Sequence, residues 1–571
     1  MENKEITKLL KLTSSLMDLH GENSFKANSY SIASFRLEKI QENLSEMSVS
    51  ELENLEGIGK SMAAKVFELN QNGSFAQLDD LLETTPEGIM KMMEISGIGP
   101  KKIGVLWREL GVENLDELLE ACKQGKVAEI KGFGTKVQDN IIKGINYLKE
   151  KQGFYRIDQV KEPLLVLQEE LRQLLNGLHI ETAGSVRRSL EVVSEAELVV
   201  ATEDRLQVFD AMEKLCKKGL VQESEQDSGL FAWRGKLLAV DCDLTLWICN
   251  PSNLGNALVK HTGSDAHLDL VWKDGQNMHQ LLSDHSFGSE SEVYDFLGKP
   301  YIDPELREGI FEPLVIKDNA IPELVKDSDL VGILHNHSNY SDGRNTLREM
   351  ATGCRDMGMQ YLGISDHSQT AVYANGLSPD RVKEQHVEID ELNKELTPFR
   401  IFKGIESDIL DTGALDYEPE TLASFDFVVA SIHAQMNMDI VKATDRVIKA
   451  VSNPYTTILG HPTGRLLLRR DGYPIDHKEV IKACAEHKVI IEINAHPMRL
   501  DLDWRWVYEA QEQGVMISIN PDAHAVEQYR LMYYGVGIGR KAGLRKENTF
   551  NSWGLDKVSA YFEERKNKIK K

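Results

Sequence analysis

Residues 330–337 read LVGILHNH, an apolar run that ends on two histidines one residue apart. Side chains two positions apart on a strand share a face, so His335 and His337 offer two imidazoles to one site. Outward from this stretch the same design returns as QYLGISDH (360–367), RIFKGIESD (400–408), DFVVASIH (426–433), TTILGH (456–461), VIIEIN (489–494) and VMISINPDAH (515–524). Short apolar runs separated by helical patterns predict buried parallel strands in a repeated βα arrangement. In such a barrel the C-terminal strand ends converge on one face.

Six of the seven runs finish on a residue that binds metal, giving His335, His337 and nearby Asp342, then His367, Glu406, His433, His461, Asp522 and His524. The run ending at Asn494 contributes none. Any one of these histidines is ordinary as a hydrogen-bonded, partly buried side chain. Their recurrence at strand ends, in a chain with 16 histidines in all, is not. Mixed imidazole and carboxylate donors suit zinc, manganese or iron(II), and this many donors exceed the needs of one or two ions, so three divalent ions are expected. Such a cluster makes hydroxide from bound water at neutral pH, so phosphoester hydrolysis needs no protein nucleophile. Arg499 and Arg465 are candidates to clamp a phosphate beside it, against the alternative of ordinary salt bridges.

The rest of the chain sets the context. Its 571 residues exceed one core, and 41% hydrophobic with 27% charged residues is ordinary for folded globular proteins. No window matches a membrane helix and the start lacks a signal-peptide core, so a cytoplasmic protein is expected. Six dispersed cysteines form no C-x-x-C pair, so neither a disulfide framework nor a cysteine zinc site is indicated. A net charge of −24 speaks superficially against nucleic acid, but binding follows local patches such as Lys101-Lys102, Arg187-Arg188 and the tail Lys566 to Lys571.

In region 1–150 three segments repeat an apolar turn, Gly-x-Gly, and a polar or basic helix start: LENLEGIGKSMAAKV (52–66), MMEISGIGPKKIGVL (92–106) and AEIKGFGTKVQDNI (128–141). Gly57 and Gly59, Gly97 and Gly99, and Gly132 and Gly134 permit tight turns that point backbone N–H groups at an anion. Each turn holds a phosphate without reading a base. A single copy reads as a plain helix-turn-helix joint; three copies favour phosphate binding.

These segments resemble helix-hairpin-helix motifs, and with NSFKANSYSIASFRLEKI (23–40) before them they look like the N-terminal part of a family X DNA polymerase. The resemblance places at Lys65 the lysine that forms a Schiff base with an abasic sugar. It continues through region 155–315 in AGSVRRSL (183–190), HTGSDAH (261–267) and SESEVYDFLGKPYIDPELREG (289–309). It implies that Ser185 and Arg188 meet a triphosphate and that three carboxylates hold magnesium. The pattern departs from the family there: Glu195 and Glu197 stand in place of two aspartates, and only Asp243 keeps its type. Each added methylene moves a ligand, so magnesium and nucleotide transfer at this site are doubtful. Lys260-His261 and Asp265 depart as well.

Region 318–571 resembles a PHP domain, with all nine ligand positions filled. The implied architecture is a multidomain α/β chain. It joins an all-α helix-hairpin-helix region, an α+β polymerase-beta-like palm and thumb, and a distorted (β/α)7 barrel. The implied activity is 3′–5′ exonuclease, with abasic-site cleavage, on gapped, single-stranded or abasic DNA bound without sequence specificity. The alternatives are a working gap-filling polymerase with exonuclease, and a small-molecule phosphatase of the histidinol-phosphatase type.

Overall fold

The computed structural model describes residues 1–38, 40, 42–95 and 97–569. Ser96 of the second Gly-x-Gly segment, Lys39 of the stretch before the first, and Lys570 and Lys571 of the basic tail lie outside the described residues. The chain forms two compact units, Met1–Gln152 and Gly153–Lys571.

The first unit is helical around its own core, in which Ile6, Leu10, Leu37, Val66, Leu106 and Ile145 are wholly buried. Gly57, Gly97 and Gly132 adopt φ of 76°, 84° and 90°, the left-handed region that glycine enters at no steric cost. At Gly57 a Cβ would also fall 2.3 Å from the Arg36 guanidinium, which would have to move aside. Gly59 and Gly99 then cap the helices Lys60–Asn72 and Pro100–Leu110 in extended conformation, with no side chain covering the first N–H groups. The third copy differs: Gly134 is itself the first residue of its helix, Gly134–Lys151, with Phe133 at the cap.

The second unit opens with a five-stranded sheet of β1 (His179–Thr182), β2 (Glu195–Ala201), β3 (Val221–Glu223), β4 (Ala232–Leu237) and β5 (Cys242–Cys249), ordered β1-β2-β5-β4-β3. Only β2 and β5 run parallel, with Glu195 opposite Asp243 and Glu197 opposite Thr245.

Seven parallel strands follow in sequential order: β6 (Gly332–Ile333), β7 (Tyr361–Ile364), β8 (Arg400–Asp408), β9 (Phe427–Ser431), β10 (Ile458–Leu459), β11 (Ile490–Asn494) and β12 (Ile517–Asn520). Strands buried on both faces cannot alternate polar and apolar residues, which is why these runs read as continuous apolar stretches. The ring closes just beyond the first and last strands. There Asn336 pairs with Ala523, and the His337 N–H donates to the Ala523 carbonyl at 2.8 Å.

Polar contacts, among them those of Glu191 and Lys541, tie the five-stranded sheet region to the barrel. Glu191 accepts from Trp504 Nε1 at 3.1 Å and Arg505 Nη1 at 2.9 Å. Buried Lys541 donates to the Arg188 carbonyl at 3.1 Å and also binds Glu308.

Candidate metal centre

The strand ends of β6 to β12 bring the nine predicted ligands together at one mouth. Three groupings place their donor atoms within 4.8 Å of one another: His337, Asp342, His367 and His524; His335, His337 and Asp522; and His367, Glu406 and His433. His337 and His367 each belong to two groupings, with one ring nitrogen toward Asp342 and the other toward Asp522 or Glu406. His461 joins through Nε2, 3.0 Å from Glu406 Oε1.

The donor set fits divalent cations. Among the described residues His335 Nε2 and His337 Nδ1 are buried and have no hydrogen-bond partner, a costly arrangement unless a cation completes it. The field also favours positive charge. Burial opposes a proton on His433, yet Glu406 and Asp408 outweigh it and push the ring up to about 10. Burial likewise opposes a proton on His524, while Asp342 and Asp522 raise it to about 9. His337, desolvated and flanked by His524 and His367, falls to about 4 and is neutral at physiological pH. Asp522 sits at φ 53°, a conformation rarely adopted by side-chain-bearing residues and one concentrated at functional sites.

Carboxylates behind the imidazoles fix their orientation. Glu492 Oε2 lies 2.7 Å from His335 Nδ1, and Asp408 Oδ1 lies 2.5 Å from His433 Nδ1, so each ring turns Nε2 inward. Asp366 accepts from the backbone N–H groups of Ser338 at 2.8 Å and Ser341 at 3.2 Å, which pins the loop that carries Asp342. Sequence reasoning missed Glu492 and Asp408, and the VIIEIN strand does contribute. The available signal was an acidic residue in an otherwise apolar run, since a buried carboxylate requires a partner.

The two arginines part company. Arg499 Nε lies 3.6 Å from Asp522 Oδ2, at the cluster. Arg465, expected as a phosphate clamp, has all three of its guanidinium nitrogens engaged within the protein. They meet Asp503 at 2.6 Å, the Arg499 carbonyl at 2.9 Å and the Leu500 carbonyl. Arg465 therefore holds the loop on which Arg499 rides.

In the five-stranded sheet, Glu195, Glu197 and Asp243 share the ends of β2 and β5 but each has another partner. Thr245 donates to Glu195 at 2.6 Å, Trp247 Nε1 donates to Glu197 at 2.8 Å, and Lys236 pairs with Asp243 at 2.7 Å. Burial raises the Glu197 carboxyl to about 7. Gly184 leaves the room this carboxyl occupies, since a Cβ there would fall 2.1 Å from Glu197 Oε1. Ser185 is half-buried in the short helix Gly184–Arg187. Arg188, expected at a triphosphate, donates through Nε to Glu308 at 2.8 Å and through Nη1 to the Thr262 carbonyl at 2.7 Å.

In the helical unit, Lys65 Nζ donates to the Tyr30 hydroxyl at 2.6 Å and lies 5.6 Å from the Phe75 ring centroid. Burial, then the charge of Lys26, lowers its pKa. Lys101 is exposed and 3.4 Å from Asp18.

A parallel seven-stranded barrel with imidazoles and carboxylates at its mouth defines the metal-dependent phosphoesterases of the PHP class, and residues 334–496 match the PHP domain family. Residues 1–75 match a helix-hairpin-helix domain and residues 89–146 a SAM-like helix-hairpin-helix tandem. The chain is 34% identical over 575 residues to the DNA polymerase/3′–5′ exonuclease PolX of Bacillus subtilis, covering 99% of this chain and 100% of that one. It belongs to the PolX family of family X DNA polymerases that carry a PHP domain. The chain is also 28% identical over 251 residues to a probable phosphatase of Thermoanaerobacter sp., covering 41% of this chain and 95% of that one. A probable phosphatase of Caldanaerobacter subterraneus is 26% identical over 239 residues, covering 39% of this chain and 87% of that one. Among the described residues no helix is long and apolar enough to cross a membrane.

Proposed function

We propose that this chain is a DNA repair protein whose barrel removes nucleotides from DNA 3′ ends by metal-dependent phosphodiester hydrolysis. The observation that carries this reading is the convergence of nine imidazole and carboxylate donors at one barrel mouth. Three divalent cations, manganese or zinc or iron, would be held by the three groupings and His461. When bound they supply Lewis acidity that makes water a competent nucleophile near neutral pH. The chain's own groups do the rest. Glu492 and Asp408 keep the inward imidazole nitrogens of His335 and His433 free of protons when a cation is bound, and Arg499 orients the phosphate beside Asp522.

Three functional regions are proposed: 1–150 for DNA binding, 155–315 as palm and thumb, and 318–571 as the phosphoesterase. Backbone N–H groups at Gly59 and Gly99 suit phosphates of either strand without base reading. The middle region would mainly grip DNA, because Glu195, Glu197, Asp243 and Arg188 all have other partners. A reading as a small-molecule phosphatase leaves the tandem hairpins without a role. Lys65 supports a second activity on abasic DNA, since its lowered pKa suits an amine nucleophile.

Replacing His335 and His337 together by Ala is expected to abolish manganese-dependent degradation of labelled single-stranded or gapped DNA. Undiminished degradation would overturn the reading.

A further inference from the structure

Two large apolar side chains stand in water at the barrel mouth. Val372 is 81% and Tyr373 71% exposed, although Ala371 and Ala374 on either side are buried. The segment is firmly held. Thr370 donates through its N–H to Asp416 at 2.7 Å and through its hydroxyl to Asp408 at 2.9 Å, and Gln369 donates to the Asp416 carbonyl at 2.6 Å. On its far side, Asn375 donates to the Tyr340 carbonyl at 3.0 Å and Leu377 N–H to the His367 carbonyl at 2.9 Å. A tightly bonded turn thus displays an uncovered aromatic ring.

The ring is placed at the site. Its centroid lies 6.0 Å from that of His367 and 6.5 Å from that of His433. Asp408 serves both sides, bonding His433 with one oxygen and the Thr370 hydroxyl with the other, so the ligand and the turn share one anchor. An exposed aromatic face costs hydration free energy unless a partner covers it, and here the natural partner is the substrate. A nucleotide carries its flat base one sugar away from its phosphate, and this ring stands one side chain away from the phosphate-binding groups.

Resting on the nuclease reading above, we propose that Tyr373 is the platform on which the base of the nucleotide being removed stacks. Stacking uses the π-face that every base has, so it tolerates any sequence. The phosphodiester then lies across the imidazoles with Arg499 near Asp522. Tyr373 is a substrate-positioning residue for a nucleic-acid 3′ end, and a small phosphomonoester without a base would not use it.

Two measurements on the full chain test this. In the first, manganese-dependent cleavage of single-stranded oligonucleotides ending in a normal nucleotide is compared with cleavage of ones ending in a base-free tetrahydrofuran residue. Tyr373→Ala should raise KM on the first by roughly tenfold or more and leave the second unchanged, with metal content as in the parent and Tyr373→Phe restoring the parent KM. Equal loss on both substrates, or no loss, overturns the proposal. The second reads stacking without cleavage, as quenching of a 3′-terminal 2-aminopurine by the His335→Ala/His337→Ala protein. Quenching lost on adding Tyr373→Ala supports the platform even if the parent proves to be no nuclease; quenching that persists overturns it.

Discussion

Nδ1 of His335 and a carboxylate oxygen of Glu492 meet at 2.7 Å in the closed interior of the barrel, where neither side chain is exposed. The two residues lie 157 positions apart. Glu492 also accepts from Asn520 Nδ2 at 3.2 Å, so its position is set from two strands. Its role is to hold one tautomer and one ring orientation of His335, and to add negative charge behind a ligand.

Glu492→Gln keeps the volume and removes the charge. It should lower the affinity for manganese about 10- to 100-fold, and saturating metal should restore most of the rate. Equilibrium dialysis with metal analysis, followed by activity against metal concentration, checks both. An unchanged metal affinity would separate Glu492 from the site.

Glu197 supplies a prediction about pH. Its carboxyl ionises at about 7 in the folded chain against an ordinary value of 4.5, chiefly through burial. The folded state therefore binds its proton more tightly than the unfolded state does. Stability from this group is complete below about 4.5 and is lost as pH rises to about 7. Glu197→Gln removes this loss while its amide oxygen can still accept from Trp247. The variant should match the parent near pH 4.5 and exceed it at pH 8 by roughly 3 kcal/mol at most. Thermal unfolding at the two pH values measures the difference, and a variant less stable at pH 8 would contradict the assignment.

Lys65 is expected to be the amine that borohydride traps on abasic DNA. Burial and Lys26 lower its pKa, and the Tyr30 hydroxyl accepts a hydrogen bond from it. Lys65→Arg keeps the charge but has no nucleophilic amine, so the covalent adduct should vanish while binding to intact DNA persists. An undiminished adduct would assign the chemistry to another lysine.

The barrel and the imidazoles and carboxylates at its mouth were legible in the sequence because each strand and the donor residue at its end are neighbours in the chain. An apolar run ending on His335-x-His337 or Asp522-x-His524 carries both facts in one local pattern, and repetition supplies the rest. The Gly-x-Gly turns were legible for the same reason, since the left-handed conformation at Gly57 is a property of one residue. What the tertiary structure decided is which groups are free to act. Arg465 and Arg499 look alike as letters, yet only folding shows that Asp503 and two carbonyls occupy Arg465 while Arg499 stands beside Asp522. Arg188 is likewise taken by Glu308, 120 positions away, and Glu492 finds its histidine only when the barrel closes. Partners so distant in sequence leave no periodicity to read. Their pairing is a consequence of the whole fold minimising buried unpaired charge, and no single segment contains it.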